Sequence, residues 1–244
     1  MIPRELLGTA QIPGGGELHL FRHNRDFMIL LDRNELMSSR MAGSEEALAR
    51  MSCARIAHCK APQILIGGYG MGFTLRAALA ALPANAVVTV AELVPEIIDW
   101  ARGPMQELAK GCLDDPRVQL VHGDVAEVIA ASPSEFDAIL LDVDNGPDGL
   151  VRAANDRLYS ERGLRSAKAA LRPGGVLAVW SAARDNAFAR RLKRAGFAVE
   201  EVEVRARENG NGVGRGAKHI IWFAAPAPAN PTTTPIKERA HVQR

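Results

Sequence analysis

Cysteine is scarce in this chain: Cys53, Cys59 and Cys112 are the three present in 244 residues. None stands in the CxxC spacing that holds zinc, and no signal-peptide pattern precedes them, so the expectation is reduced thiols in a cytoplasm and no metal centre. Long apolar runs are lacking as well; nothing approaches the roughly 18 residues of a membrane-spanning helix. There is no strong excess of charge of either sign. The 30 Lys and Arg stand against 28 Asp and Glu, and the net +2 resides after residue 225, where Lys237, Arg239 and Arg244 face Glu238. A chain otherwise neutral offers no electrostatic footprint for nucleic acid. Apolar residues, by contrast, make up 47% of the sequence. That is enough to bury the core of one α/β domain, and it excludes disorder of the whole.

Residues 1–60 read as a small N-terminal element. Two short strands, Glu17–Arg22 and Asp26–Asp32, flank the turn formers His23-Asn24-Arg25, and a helix is expected from Ser44 to His58. Residues 61–225 alternate between strand and helix signals. Strands are expected at Ile64–Ile66, Val87–Ala91, Val118–His122, Ala138–Leu141, Val176–Trp180, Ala198–Val204 and His219–Ala224; helices are expected at Phe73–Leu82, Pro95–Leu108, Asp156–Leu171 and Asn186–Ala195. Alternation on this scale predicts a parallel sheet covered by helices on both faces. The loop Glu208–Gly216 is too short for a helical crossover, so the last two strands should pair as an antiparallel hairpin, with Arg205, Arg207, Arg215 and Lys218 around a solvated tip. Residues 226–244 are rich in Pro, Ala and Thr and are expected to be disordered. Trp100, Trp180, Trp222 and Tyr159 are expected to pack in the core.

The most informative stretch is Gln63-Ile-Leu-Ile-Gly-Gly-Tyr-Gly-Met-Gly-Phe-Thr-Leu75, a strand breaking into Gly67, Gly68, Gly70 and Gly72 ahead of an Ala/Leu-rich helix. Such a turn lets the backbone approach a ligand and aims helix N–H groups at it. Alone it does not choose among NAD, FAD and S-adenosylmethionine. The acids beyond the next three strands narrow the choice, because ligands of open parallel sheets bind past the carboxyl ends of the strands. Glu92 suits the two hydroxyls of a ribose, with Leu93 packing on a base. Asp124, followed by Val125, suits an adenine amino group. Asp142 lies where the reactive end of the cofactor should point, with Asp144 and Asn145 just after it. Tyr69, inside the turn, is placed over the cofactor. Each of these acids has an alternative role as the cap of the following helix. An NAD-dependent reductase leaves the terminal hairpin and Val121-His-Gly-Asp124 unexplained.

Taken in order, these segments resemble the spermidine synthase-like branch of the class I S-adenosylmethionine-dependent methyltransferase superfamily, from about Glu17 to Ala225. His58-Cys-Lys-Ala-Pro-Gln-Ile-Leu-Ile-Gly-Gly is similar to that family's HPxPxxVLIIGGGDGG, one residue shorter before the glycines. Asp137-Ala-Ile-Leu-Leu-Asp142 is similar to DxIIxDSSDP, Leu171-Arg-Pro-Gly-Gly-Val176 to LxPGGV, and Ser44-Glu-Glu-Ala-Leu48 to YHEML. The resemblance implies a Rossmann-like sheet of seven strands and an adenosyl sulfonium held by the glycine turn, Glu92, Leu93, Asp124 and Val125. It also implies that Asp142 orients an acceptor nitrogen and takes its proton, that Glu46, Asp144 and Asn145 contact the acceptor, and that the protein forms a homodimer.

Two departures bear on the reaction. Gly70 stands where the family carries an acid facing the aminopropyl tail of decarboxylated S-adenosylmethionine. Intact S-adenosylmethionine bears a carboxylate on that tail, and a glycine removes the like-charge repulsion. The expected activity is therefore methyl transfer from S-adenosylmethionine to a small molecule, an amine among the acceptors considered. The alternatives are aminopropyl transfer by a spermidine synthase-like enzyme and a non-catalytic adenosyl-ligand binding module. The second departure is on the acceptor side: Ser44 and Glu45 replace the tyrosine and histidine of YHEML, and Asn145 replaces the second acid of DSSDP, so the acceptor stays open.

Overall fold

The computed structural model describes residues 4–143, 157–208 and 214–228. Asp144, Asn145, the tip of the last hairpin and residues 229–244 of the tail lie outside the described residues. The chain opens with an antiparallel meander of four strands, β1 (Glu5–Gln11), β2 (Glu17–His23), β3 (Asp26–Leu31) and β4 (Asn34–Ser38), in that spatial order. The sequence pattern exposed only the middle pair, which is in register from Leu18↔Leu31 to His23↔Asp26 around the expected turn, with Asn24 at φ 59°. β1 escaped notice because Gly8 interrupts it. That glycine has a tertiary cause: a Cβ there would lie 2.5 Å from the indole nitrogen of Trp100.

Next come α1 (Gly43–Arg55), β5 (Gln63–Gly67), α2 (Phe73–Ala81), β6 (Val87–Glu92), α3 (Pro95–Arg102), α4 (Gln106–Ala109), β7 (Val118–His122), α5 (Val125–Ala131) and β8 (Phe136–Leu141). The chain closes with α6 (Glu161–Ala170), β9 (Leu171–Ser181), α7 (Asn186–Arg194), β10 (Phe197–Glu208) and β11 (Gly214–Pro226). The second sheet has the seven strands that the alternation predicted, in the order β10-β11-β9-β8-β5-β6-β7. β5 to β9 run parallel, whereas β11 pairs antiparallel with both β9 and β10. Every residue of β8 is buried, as suits a parallel strand covered on both faces. The single helix expected over Pro95–Leu108 is divided at Gly103 into α3 and α4. The seven-residue α5 was too short to show a period.

The tryptophans lie in the core as expected, with Trp222 fully buried and edge-on to Phe188 at 5.0 Å. β5 is flanked by β6 on one side and β8 on the other, so the chain's crossovers depart in opposite directions from it. That is the topological switch point, and it opens a crevice beyond the carboxyl ends of these three strands.

Candidate active site

The glycine turn occupies the mouth of this crevice. Gly68, Gly70 and Gly72 have φ of 83°, 54° and 75°, a left-handed backbone that favours glycine. A Cβ at Gly68 would meet the carbonyl oxygen of Asp142 at 2.9 Å, so the ends of β5 and β8 touch through its bare backbone. Gly72 sits immediately before α2, and a Cβ there would strike the Tyr69 hydroxyl at 2.6 Å. Gly67 is packed against Val125 and Leu141 beneath the cleft.

Tyr69 is not among the residues that line the cleft. Its ring is buried, its hydroxyl lies 3.5 Å from Cys112 Sγ, and burial pushes the phenol well above its ordinary range. It supports the turn from inside. Its backbone N–H donates to Glu92 Oε2 at 2.8 Å, and the Val94 N–H donates to Oε1 at 2.9 Å. Glu92 thus ties the glycine turn to the end of β6. Burial raises its pKa, and the backbone donors around it oppose the shift. Each carboxylate oxygen accepts more than one hydrogen bond, so this anchoring is compatible with a ribose contact.

Asp124 caps α5, its Oδ1 accepting from the Ala126 N–H at 2.7 Å, while Oδ2 pairs with Arg157. The capping role weighed from sequence is therefore present. The residue also lines the cleft, with Leu93, Val125, Gly68, Gly70, Glu92 and Asp142. The opposite wall was not foreseen. It consists of Ile12, Leu18, Ile29, Leu36 and Met37, all from the N-terminal meander, which lies across the mouth of the Rossmann-like body. Among the described residues, no three His, Cys, Asp or Glu side chains are gathered to hold a metal.

At the end of β8, Asp142 Oδ2 accepts from Thr74 Oγ1 at 2.7 Å, and burial lifts its carboxyl to about 6. The acid that faces it comes from α1 and is Glu45, not Glu46. Glu45 is 8% exposed, and burial, reinforced by the Asp142 charge, raises it from an ordinary 4.5 to about 8. Its Oε2 accepts from Ser44 Oγ at 2.6 Å, and Ser44 Oγ lies 2.8 Å from His219 Nδ1 of β11. Glu46 is on the outer side of α1, in an exposed ion pair with Arg50 at 3.5 Å. The reason is helix phase. α1 buries Ser44, Glu45, Leu48, Ser52 and Cys53 against the sheet and leaves Glu46 and Arg50 outward.

Residues 42–187 match the family model described as the spermine/spermidine synthase domain. The chain belongs to the spermine/spermidine synthase family. It is 31% identical over 164 residues to polyamine aminopropyltransferase 2 of Pseudomonas aeruginosa, covering 64% of this chain and 44% of that protein. It is 33% identical over 184 residues to the polyamine aminopropyltransferase of Mycobacterium tuberculosis, covering 72% of this chain and 34% of the relative. The chain therefore spans less than half the length of these relatives. In fold it is similar to spermidine synthase from Thermotoga maritima, with a TM-score of 0.68 at 20% identity over 90% of this chain and 71% of the other.

These matches overturn the expectation of methyl transfer from intact S-adenosylmethionine, since the family model and the relatives just described carry the names of polyamine synthases and aminopropyltransferases. Gly70 lines the cleft, and a Cβ added there would meet Met37 Cε at 2.7 Å and its sulfur at 3.0 Å. A thioether from β4 stands over the position where the family carries its acid.

Proposed function

We propose that this chain transfers the aminopropyl group of decarboxylated S-adenosylmethionine to an amine. The observation that carries the proposal is Asp142, backed by the buried Glu45, at one edge of a cleft whose other edge holds Glu92, Leu93 and Asp124. The second edge suits an adenosine: Glu92 for the ribose, Leu93 and Val125 for the faces of the base, and Asp124 for its amino group. The first edge suits cationic amines. A bound ammonium favours the ionised form of Asp142 and of Glu45 alike, whereas a third carboxylate would oppose it, which discriminates decarboxylated S-adenosylmethionine from the intact compound.

The acceptor amine arrives as an ammonium and must lose a proton before it attacks. Asp142, anchored by Thr74, takes that proton. The neutral nitrogen then forms a bond to the aminopropyl carbon as the carbon–sulfur bond breaks. The bonding pair stays on sulfur, and methylthioadenosine leaves as a neutral thioether. A sulfonium is already a good leaving group, so the protein's contribution is alignment and exclusion of water by the apolar wall from the meander.

Incubation with decarboxylated S-adenosylmethionine and a panel of diamines should release methylthioadenosine, and Asp142→Asn should lower the rate by about 100-fold or more. No methylthioadenosine across the panel would overturn the proposal.

A further inference from the structure

The reaction just proposed releases one proton per turnover, because an ammonium and a sulfonium become one ammonium and a neutral thioether. That proton is left on Asp142 in a buried corner. We infer that it leaves through a side-chain relay, from Asp142 to Glu45, then Ser44, then His219; this inference rests on the proposed aminopropyl transfer.

The contacts outward from Glu45 are continuous, and Asp142 lies close enough for its charge to raise the Glu45 carboxyl. Ser44 Oγ is 2.6 Å from Glu45 Oε2 and 2.8 Å from His219 Nδ1, joining the start of α1 to β11 across 175 residues of sequence. Ser44 is wholly buried, and it is not the cap of α1, a position held by Ala42. Its hydroxyl is therefore not committed to capping the helix. A hydroxyl both donates and accepts, so the chain can run in either sense. With Glu45 ionised, Ser44 donates to Glu45 and accepts from His219; with Glu45 protonated, the bonds reverse and the proton passes outward. Burial lowers the pKa of His219, so the resting ring is neutral, with a nitrogen able to accept a hydrogen bond, and an imidazolium formed there sheds its proton readily. The ring stands edge-on to Trp180 at 4.8 Å, which fixes its plane. It is half-buried, and residues 215–218 before it are exposed, so the relay ends near solvent. The groups that face Glu45 are Asp142 from β8, Thr74 from α2 and His219, through Ser44, from β11; Glu46 on its own helix is paired with Arg50.

The test follows methylthioadenosine release against pH, in water and in deuterium oxide, for the full chain and the variants Ser44→Ala, Ser44→Thr and His219→Ala. Calorimetric binding of methylthioadenosine serves as the control for folding. Ser44→Ala and His219→Ala should lower kcat by about 10- to 100-fold while leaving KM for the amine and methylthioadenosine binding unchanged. Ser44→Thr, which keeps the hydroxyl, should stay near wild type. Added imidazole should restore His219→Ala in proportion to its neutral form and should not restore Ser44→Ala. Wild-type turnover with an unchanged kcat and pH profile in Ser44→Ala overturns the relay alone. A loss confined to KM, or lost methylthioadenosine binding in both Ser44→Ala and Ser44→Thr, assigns the cluster to packing and also overturns it. Failure of the wild-type chain to release methylthioadenosine from any diamine removes the proposed function, and the relay with it.

Discussion

Replacing Glu45 by Gln should make the protein more stable in alkali and less active. In the folded chain burial raises the Glu45 carboxyl from 4.5 to about 8, so between these values the native state holds a proton that the unfolded state has lost. Stability is then fully present below about 4.5 and falls as pH rises through 8. Each pH unit of this gap is worth about 1.4 kcal/mol, giving an upper limit near 5 kcal/mol if Glu45 titrated alone. It shares its field with Asp142, and local relaxation admits water, so about 2 kcal/mol is the expected size. Gln can still accept the Ser44 hydrogen bond, and it never ionises. Asp142 and Glu92, both raised by burial, act in the same direction in wild type and variant. At pH 5 the variant should equal or fall slightly below wild type. At pH 8.5 it should exceed it, with Tm higher by about 4–8 °C. Urea and thermal unfolding at both pH values measure the difference. A Glu45→Gln variant whose advantage does not grow between pH 5 and 8.5 would refute the buried, proton-holding Glu45. The same variant should turn over more slowly, because the acid facing Asp142 is gone.

Three further substitutions test the geometry. Gly68→Ala forces a Cβ to within 2.9 Å of the Asp142 carbonyl at φ 83°, and should cost about 1–3 kcal/mol in urea unfolding; a neutral result would mean the strand ends are not in contact. Glu46→Ala removes only an exposed pair with Arg50, so stability should change by less than about 0.5 kcal/mol and KM for the amine should hold. A large rise in KM would return the acceptor contact to Glu46. Gly70→Asp must displace Met37 and should lose about 1–3 kcal/mol, part of it regained in the double variant with Met37→Ala. Strict additivity of the two changes would show that the side chains do not compete for one space.

Much of the sheet was legible because its signals are local. An apolar run of three residues, Ile64-Leu65-Ile66, followed by glycines is a strand and a turn whatever surrounds it, and the Glu208–Gly216 loop was too short for anything but a hairpin. The acids after β6, β7 and β8 were also legible, since strand direction and the switch point place them at one end of the sheet. The burial of the Tyr69 ring was not legible, because a turn's sequence does not say on which side its side chain leaves. Glu45 and Glu46 are adjacent and chemically equivalent; only the phase of α1 against the sheet puts one beside Asp142 and the other in water. β1 was hidden by Gly8, a residue whose reason is an indole more than ninety positions away.

The amino-acid sequence by itself determined the Rossmann-like alternation, the glycine turn and the acids at the strand ends, because spacing along a chain is enough to specify each of them. Tertiary structure decided what those parts face. It laid the N-terminal meander over the cleft, set Met37 above Gly70, and brought Ser44, Glu45, Asp142 and His219 together from three separate elements. Contacts of that kind join residues far apart in sequence, and they come into being only when helix phase and sheet order are both settled by packing.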